Sequence, residues 1–228
     1  MTRSITLAIE GATYQGSVAV IRDAEVVAER TLQAEDGGIP RAGRGERLMP
    51  AVAECLDEAV VRGSDIARIV CGAGPGSFTS LRVAGSVAKG LAVGYGVELY
   101  AVSSLLLIVS GAQPSLPNGK YLSVLDAMRG EFYAAHIILQ SGVAVQSEAP
   151  TLMAAAQLEE VRVRERTLRV VGPGQEIDAH PHARGVAPIL ASILESGPVN
   201  LASWEPDYGR LAEAQVRWEA AQGRPLTT

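Results

Sequence analysis

The chain has 228 residues, 47% apolar and 20% charged, which is enough for one large or two small domains and too apolar for a disordered chain. A formal net charge of −5 argues against broad, non-specific nucleic-acid binding through the fold as a whole. Its two cysteines, Cys55 and Cys71, sit in apolar surroundings and read as reduced thiols, and no apolar run reaches the ~18 residues of a membrane span. The N-terminal residues enter a strand pattern with no signal-type apolar core, so a cytoplasmic location is expected.

Residues 5–9 read as a buried strand ending at Glu10, and residues 11–16 as a turn. Strands follow at 17–21 and 25–32, separated by a tight turn at Asp23-Ala24. Residues 34–45, with four glycines and a proline, form a connection. The spacing of Leu48, Val52, Cys55 and Ala59 predicts an amphipathic helix over 46–62, with Pro50 tolerated near its first turn. A strand at 66–71 then runs into the stretch around which the chain is organised.

That stretch places Gly72, Gly74 and Gly76 one residue apart, with Pro75 and Ser77, ahead of a helix rich in small residues. Two readings are open. A glycine loop at a helix N-terminus can hold an anion, and the same glycines can make a tight strand-to-helix turn. Neither a Lys-Ser/Thr pair nor the G-x-G-x-x-G dinucleotide pattern is present. In the helix, Leu81, Gly85, Ala88 and Ala92 share one face, while Val83, Val87, Gly90 and Gly94 lie roughly opposite. A sheet can cover one of these faces. Covering the other requires a partner, unless the helix is wholly buried within its own domain. The first face, with Leu48, Val52 and Cys55 of the preceding helix, is the expected partner surface.

A strand at 97–102 and an apolar helix at 103–110 lead into the second half, where strands at 121–125, 131–139 and 143–147 repeat the opening hairpin pattern. Asp126 then stands where Glu10 stands in the first copy. A helix at 153–158, a strand at 168–171, a helix at 187–194 and a last helix at 211–221 complete the reading. Two such units point to an α/β, actin-like, duplicated two-lobed fold (the ribonuclease-H-like class), with lobes at 1–102 and 103–205 and a helical tail at 206–228. In that fold the two turns grip phosphates, so Glu10, Thr13, Asp126 and Arg129 are the candidate, vestigial phosphate turns. Glu10 and Asp126 are either a catalytic pair or strand-end caps. Met128 and Arg129 crowd the second turn, where close backbone approach favours glycine. His180-Pro181-His182 reads as a surface loop rather than a zinc site, and no nucleophile elbow is present. Arg162, Arg164, Arg166 and Arg169 are the one local basic cluster singled out.

The run Gly74-Pro75-Gly76-Ser77-Phe78-Thr79-Ser80-Leu81-Arg82-Val83, followed by Ala88-Lys89-Gly90-Leu91-Ala92, resembles the TsaB (YeaZ) family. The resemblance extends to Glu46-Arg47-Leu48-Met49-Pro50, to Asp126-Ala127-Met128-Arg129-Gly130-Glu131 and to Pro206-Asp207-Tyr208-Gly209-Arg210. It implies a non-catalytic subunit of bacterial tRNA threonylcarbamoyladenosine synthesis that binds no cofactor alone. It also implies a catalytic TsaD partner and a P-loop ATPase partner, TsaE, both using ATP. Pairing would run through the two helices after the N-terminal strands, with TsaD or as a homodimer, and tRNA would be met through the complex. Glu10 departs from the family's usual Asp and Ser80 from its Gly, which weakens an independent nucleotide site. The rival reading is an autonomous actin-like ATPase or phosphotransferase.

Overall fold

The structure, a computed structural model, describes residues 4–32, 45–165 and 167–209. Most of the expected connection at 34–45, Arg166 and the expected helix at 211–221 lie outside the described residues.

β1 (Ile5–Glu10) is buried along its whole length, as a strand flanked on both edges and both faces must be. It pairs antiparallel with β2 (Ser17–Arg22), which pairs antiparallel with β3 (Glu25–Thr31). After α1 (Gly45–Glu58), β4 (Ile66–Gly72) returns parallel to β1; α2 (Phe78–Tyr95) then carries the chain to β5 (Glu98–Val102), parallel to β4. The first sheet runs β3-β2-β1-β4-β5. α1 stops short of the expected residue 62 at a turn where Val60 takes φ +52° and the Val61 N–H reaches the Leu56 carbonyl at 2.9 Å. Glycine usually fills that left-handed position, so a valine there left no stop signal in the sequence.

The second half opens with α3 (Ser104–Ser110), followed by the antiparallel strands β6 (Gly119–Asp126), β7 (Glu131–Gln140) and β8 (Val143–Gln146). β9 (Thr151–Ala154) pairs with β7 ahead of α4 (Ala155–Arg164), where a helix from 153 was expected. β10 (Arg169–Gly172) lies parallel to β6, and β11 (Ile177–Asp178) parallel to β10. A 3-10 helix (Ala183–Ile189) passes into α5 (Leu190–Glu195); Pro188 has no N–H with which to extend an α-helix from upstream. The order β11-β10-β6-β7-β8 repeats the first sheet strand for strand, so the duplicated two-lobed α/β architecture read from the hairpins is present. Among the described residues no helix is long and apolar enough to cross a membrane.

The lobes are stitched together by segments that no local sequence pattern places there. Leu105, Leu107 and Ile108 of α3 are fully buried, in a core that joins residues of both sheets. His182, expected in a surface loop, is only 7% exposed. Its Nδ1 accepts the Arg184 N–H at 3.1 Å, and its Nε2 lies 3.0 Å from Thr31 Oγ1 of β3. The Ala183 N–H donates to Ser17 Oγ at 2.9 Å, and Arg184 pairs with Glu29 at 2.9 Å. The chain then crosses back to the first lobe, where Val199 N–H donates to the Leu99 carbonyl at 2.8 Å and Asp207 N–H to the Ala73 carbonyl at 2.7 Å.

Burial, and secondarily the Arg184 charge, depresses the His182 pKa to about 3. Its ordinary value is about 6.5, so the neutral ring contributes stability above pH 6.5 that is lost as pH falls toward 3. Urea unfolding should therefore show the wild type losing on the order of 3 kcal/mol more than His182→Gln between pH 6.5 and 4. Parallel pH profiles for the two proteins would contradict this placement of the ring.

Candidate functional site: the glycine loop and its two helices

β4 ends at Gly72, residues 73–77 make the loop, and α2 begins at Phe78. The chain itself fills the space the glycines leave. A Cβ on Gly72 would run into the Glu10 carboxylate, and one on Gly76 into the Ala12 carbonyl. Ser77 N–H, one of the free donors where α2 begins, is taken by the Ala12 carbonyl at 2.7 Å, and Ser77 Oγ lies 3.1 Å from Ser80 Oγ. The backbone of Asp207 closes over Gly74, and Pro75 meets Gly209. This is the tight-turn alternative: a seam between segments of one chain, with its cradle occupied by protein.

Glu10 lies beneath that seam, 1% exposed. Its Oε1 accepts the Ala12 N–H at 2.5 Å, and Ser104 Oγ donates to Oε2 at 2.9 Å. Burial pushes its pKa up to about 7 against the opposing pull of the hydrogen bonds from Ala12, Ser104 and Gly11. Thr13 closes its own turn with Gln15 at 3.2–3.3 Å. Asp126 is exposed and accepts the Met128 N–H at 2.7 Å. Of the two readings of these acids, the structure supports strand-end caps: each carboxylate serves its own turn, and among the described residues no hydrogen bond joins them. Met128 and Arg129 take φ of +65° and +61°, and Met128 is 67% exposed.

Other reactive groups are inert or engaged. Burial raises the Cys55 thiol to about 11 and Cys71 further still. Among the described residues no cluster of three His, Cys, Asp or Glu side chains could hold a metal ion. Arg162 binds Glu159 and Gln175, each at 2.7 Å; Arg164 binds Glu165 at 3.1 Å; Arg169 lies over the Tyr121 ring at 4.8 Å. These three arginines of the basic cluster are thus drawn into local interactions.

The helix faces require a correction. Leu48, Val52, Cys55, Leu81, Ala88 and Ala92 are between 0% and 3% exposed, all within the chain's own cores. Gly85 is buried beneath Pro206 and Trp204. The expected partner surface is the inward surface: α2 packs on β4 and β1 beneath residues 204–206, and α1 packs on β2 and β3. The opposite stripe faces out: Ser86, Gly90, Val93 and Gly94 are exposed, Val83 and Val87 half-buried, and nothing stands within 4 Å of where a Cβ on Gly90 or Gly94 would lie. α1 adds exposed Met49 and Ala53, on the flank away from Glu54 and Glu58, which pair with Arg30 of β3. The helical wheel separated the two stripes, and the bulk of Leu81 was the available clue to which of them faces the sheet.

These glycines predict opposite outcomes. Gly72→Ala should destabilise the fold by at least about 2 kcal/mol, because the Glu10 carboxylate must move from a buried, bonded position. Gly90→Ala should be neutral or stabilise by up to about 1 kcal/mol, since it gains helix propensity in open space. Chemical denaturation of both variants checks the pair, and equal effects would contradict the geometry.

Comparison with known proteins gives one answer. Residues 23–168 match the family described as TsaD: tRNA N6-adenosine threonylcarbamoyltransferase. The chain is 26% identical to the tRNA threonylcarbamoyladenosine biosynthesis protein TsaB of Bacillus subtilis, over 95% of this chain and 98% of that one. It is 35% identical to the Escherichia coli protein of the same name, over 57% of this chain and 53% of that one. Among solved structures, YeaZ from Pseudomonas aeruginosa superposes with a TM-score of 0.73 at 26% identity, covering 90% of this chain and 99% of that one. The glycine loop, the duplicated sheets and the near full-length correspondence to the Bacillus subtilis and Pseudomonas aeruginosa proteins converge: the chain belongs to the TsaB (YeaZ) family and carries the TsaD family's domain.

Proposed function

We propose that the chain acts in tRNA threonylcarbamoyladenosine biosynthesis as a non-catalytic dimerisation and scaffold subunit that binds the catalytic TsaD subunit. The relatives named as biosynthesis proteins of this modification support the pathway. The observation that carries the scaffold role is the outward stripe of α2, where Ser86, Gly90, Val93 and Gly94 are exposed beside half-buried Val83 and Val87, together with exposed Met49 and Ala53 of α1, all small or apolar. Small residues let a second helix approach closely, so two helices from each protein would make a four-helix contact buried by apolar area. The same surface serves a homodimer when the chain is alone. TsaE joins the assembly, ATP is used by TsaD and TsaE, and tRNA is met through the complex in the cytoplasm. The filled glycine loop and the side chains on the second turn support a chain with no nucleotide site of its own.

Gly90→Arg and Val93→Arg place a long charged side chain on that contact without entering the core. Both variants should keep the wild-type circular dichroism spectrum, while association with the catalytic subunit in analytical ultracentrifugation falls on the order of a hundredfold. Normal assembly by folded variants would put the interface elsewhere. Gly85→Arg, by contrast, should fail to fold.

The isolated chain should give no calorimetric signal with Mg-ATP and hydrolyse none. Micromolar binding, with turnover abolished by Asp126→Asn, would favour the autonomous ATPase instead. Its affinity for tRNA at physiological salt should stay in the non-specific range, a Kd of about 10⁻⁴ to 10⁻⁶ M. A sub-micromolar, sequence-selective complex would contradict the proposal that tRNA is met through partners.

A further inference from the structure

Four segments converge on one carboxyl group. Glu10 closes β1, Gly72 closes β4 against it, residues 73–77 form the loop above, and Ser104 opens α3 beside it. Ser104 is the bridging residue. Its hydroxyl donates to Glu10 and accepts the Gly74 N–H at 3.1 Å, while its own N–H donates to the Gly74 carbonyl at 2.9 Å. The glycine loop is therefore fastened to the first turn of α3 through both the backbone and the side chain of Ser104, and that side chain is held by Glu10.

Glu10 is buried without a counter-charge. Its hydrogen bonds come from the Ala12 and Gly11 backbone and the Ser104 hydroxyl, and among the described residues no Lys, Arg or His pairs with it. From β4 it faces the Cys71 thiol, which burial keeps protonated well above neutral pH. Residues 73–77 and α3 contain no titratable side chain. The cations of α2 are engaged elsewhere, Arg82 over the Phe78 ring at 5.5 Å and Lys89 with the Trp204 carbonyl at 2.9 Å. On β5, Glu98 accepts from the Tyr100 hydroxyl at 2.8 Å. A buried carboxylate in this position lowers its free energy by taking up a proton or by admitting water.

We propose that Glu10 is a proton-operated fastener: protonated, it holds the glycine loop onto α3 through Ser104, and ionised, it is hydrated by parting the loop from Ser104. The raised pKa of about 7 puts this exchange within the physiological range. The sign follows from the shift. The closed junction binds its proton more tightly than an open, solvated one, so the gain in closure is complete below about pH 4.5 and is lost as pH rises through 7. Because the loop leads directly into α2, the pH of the solution would set how firmly the N-terminus of that helix is held.

The test uses the whole chain and needs no partner protein, so its outcome is separable from the scaffold proposal. Carbon-13 NMR of glutamate-labelled protein, with Glu10→Gln for assignment, reads the titration of the carboxyl. Hydrogen exchange of the Gly74 and Ser104 amides, corrected for intrinsic rates, reads the fastening. The Glu10 midpoint should fall between pH 6 and 8, and protection of both amides should drop about tenfold from pH 6 to 8.5 in the wild type but not in Glu10→Gln. Ser104→Ala should lower Gly74 protection at both pH values. A midpoint below pH 5.5, or a titration in range with unchanged protection, overturns the proposal. If Glu10→Gln does not fold, assignment from backbone resonances and the wild-type titration and exchange still decide it.

Discussion

The close approach of Glu10 to Gly72 is the constraint on which the rest of this structure depends. β1 and β4 lie side by side as parallel neighbours, and where they end a carboxylate stands in the space that any side chain at position 72 would need. That contact brings Ser104 and the glycine loop together and so fixes where α2 starts. It also determines what the loop can do. A glycine turn binds an anion when its N–H groups point into open space, whereas here protein carbonyls take those of residues 73 and 77. The residues that would mark a phosphate site by sequence hold two lobes of one chain in register.

A second consequence concerns rigidity. Actin-like folds that work on nucleotides need lobes that can move about a cleft. In this chain the lobes are joined at several separate places: Ser104 on Glu10, His182 on Thr31, Ala183 on Ser17 and Arg184 on Glu29. Each bond is worth only about 1 kcal/mol net, but separating the lobes would break them together and expose a shared apolar core. A rigid body that presents one small-sided helical face suits a subunit that supports another protein more than one that turns over a substrate.

Much of this architecture was legible in the sequence, because period-two strands and three-residue-spaced helices are local signals. The repeated hairpin with an acid at the end of its first strand was enough to anticipate two copies of one sheet, and the order of the second sheet repeats the first. What was not legible depends on contacts distant in sequence. His182 looked like a loop residue because nothing near it in the chain signals that β3 covers it. Likewise α2 is small or apolar nearly all round, so periodicity could divide its stripes but not say which one the sheet and residues 204–206 would bury. Val60, in a left-handed turn that glycine usually takes, ended α1 without a sequence mark.

The central claim, that this chain supports a catalytic subunit rather than catalysing a reaction itself, is tested most directly by reconstituting tRNA modification from purified components. Unmodified tRNA is supplied with ATP and the remaining substrates and enzymes of the pathway, and threonylcarbamoyladenosine is measured by mass spectrometry of the digested tRNA. The account predicts modification only when this chain and the catalytic subunit are both present, with the two recovered as one complex. Modification by this chain in the absence of the catalytic subunit, or undiminished modification when this chain is left out, would contradict it.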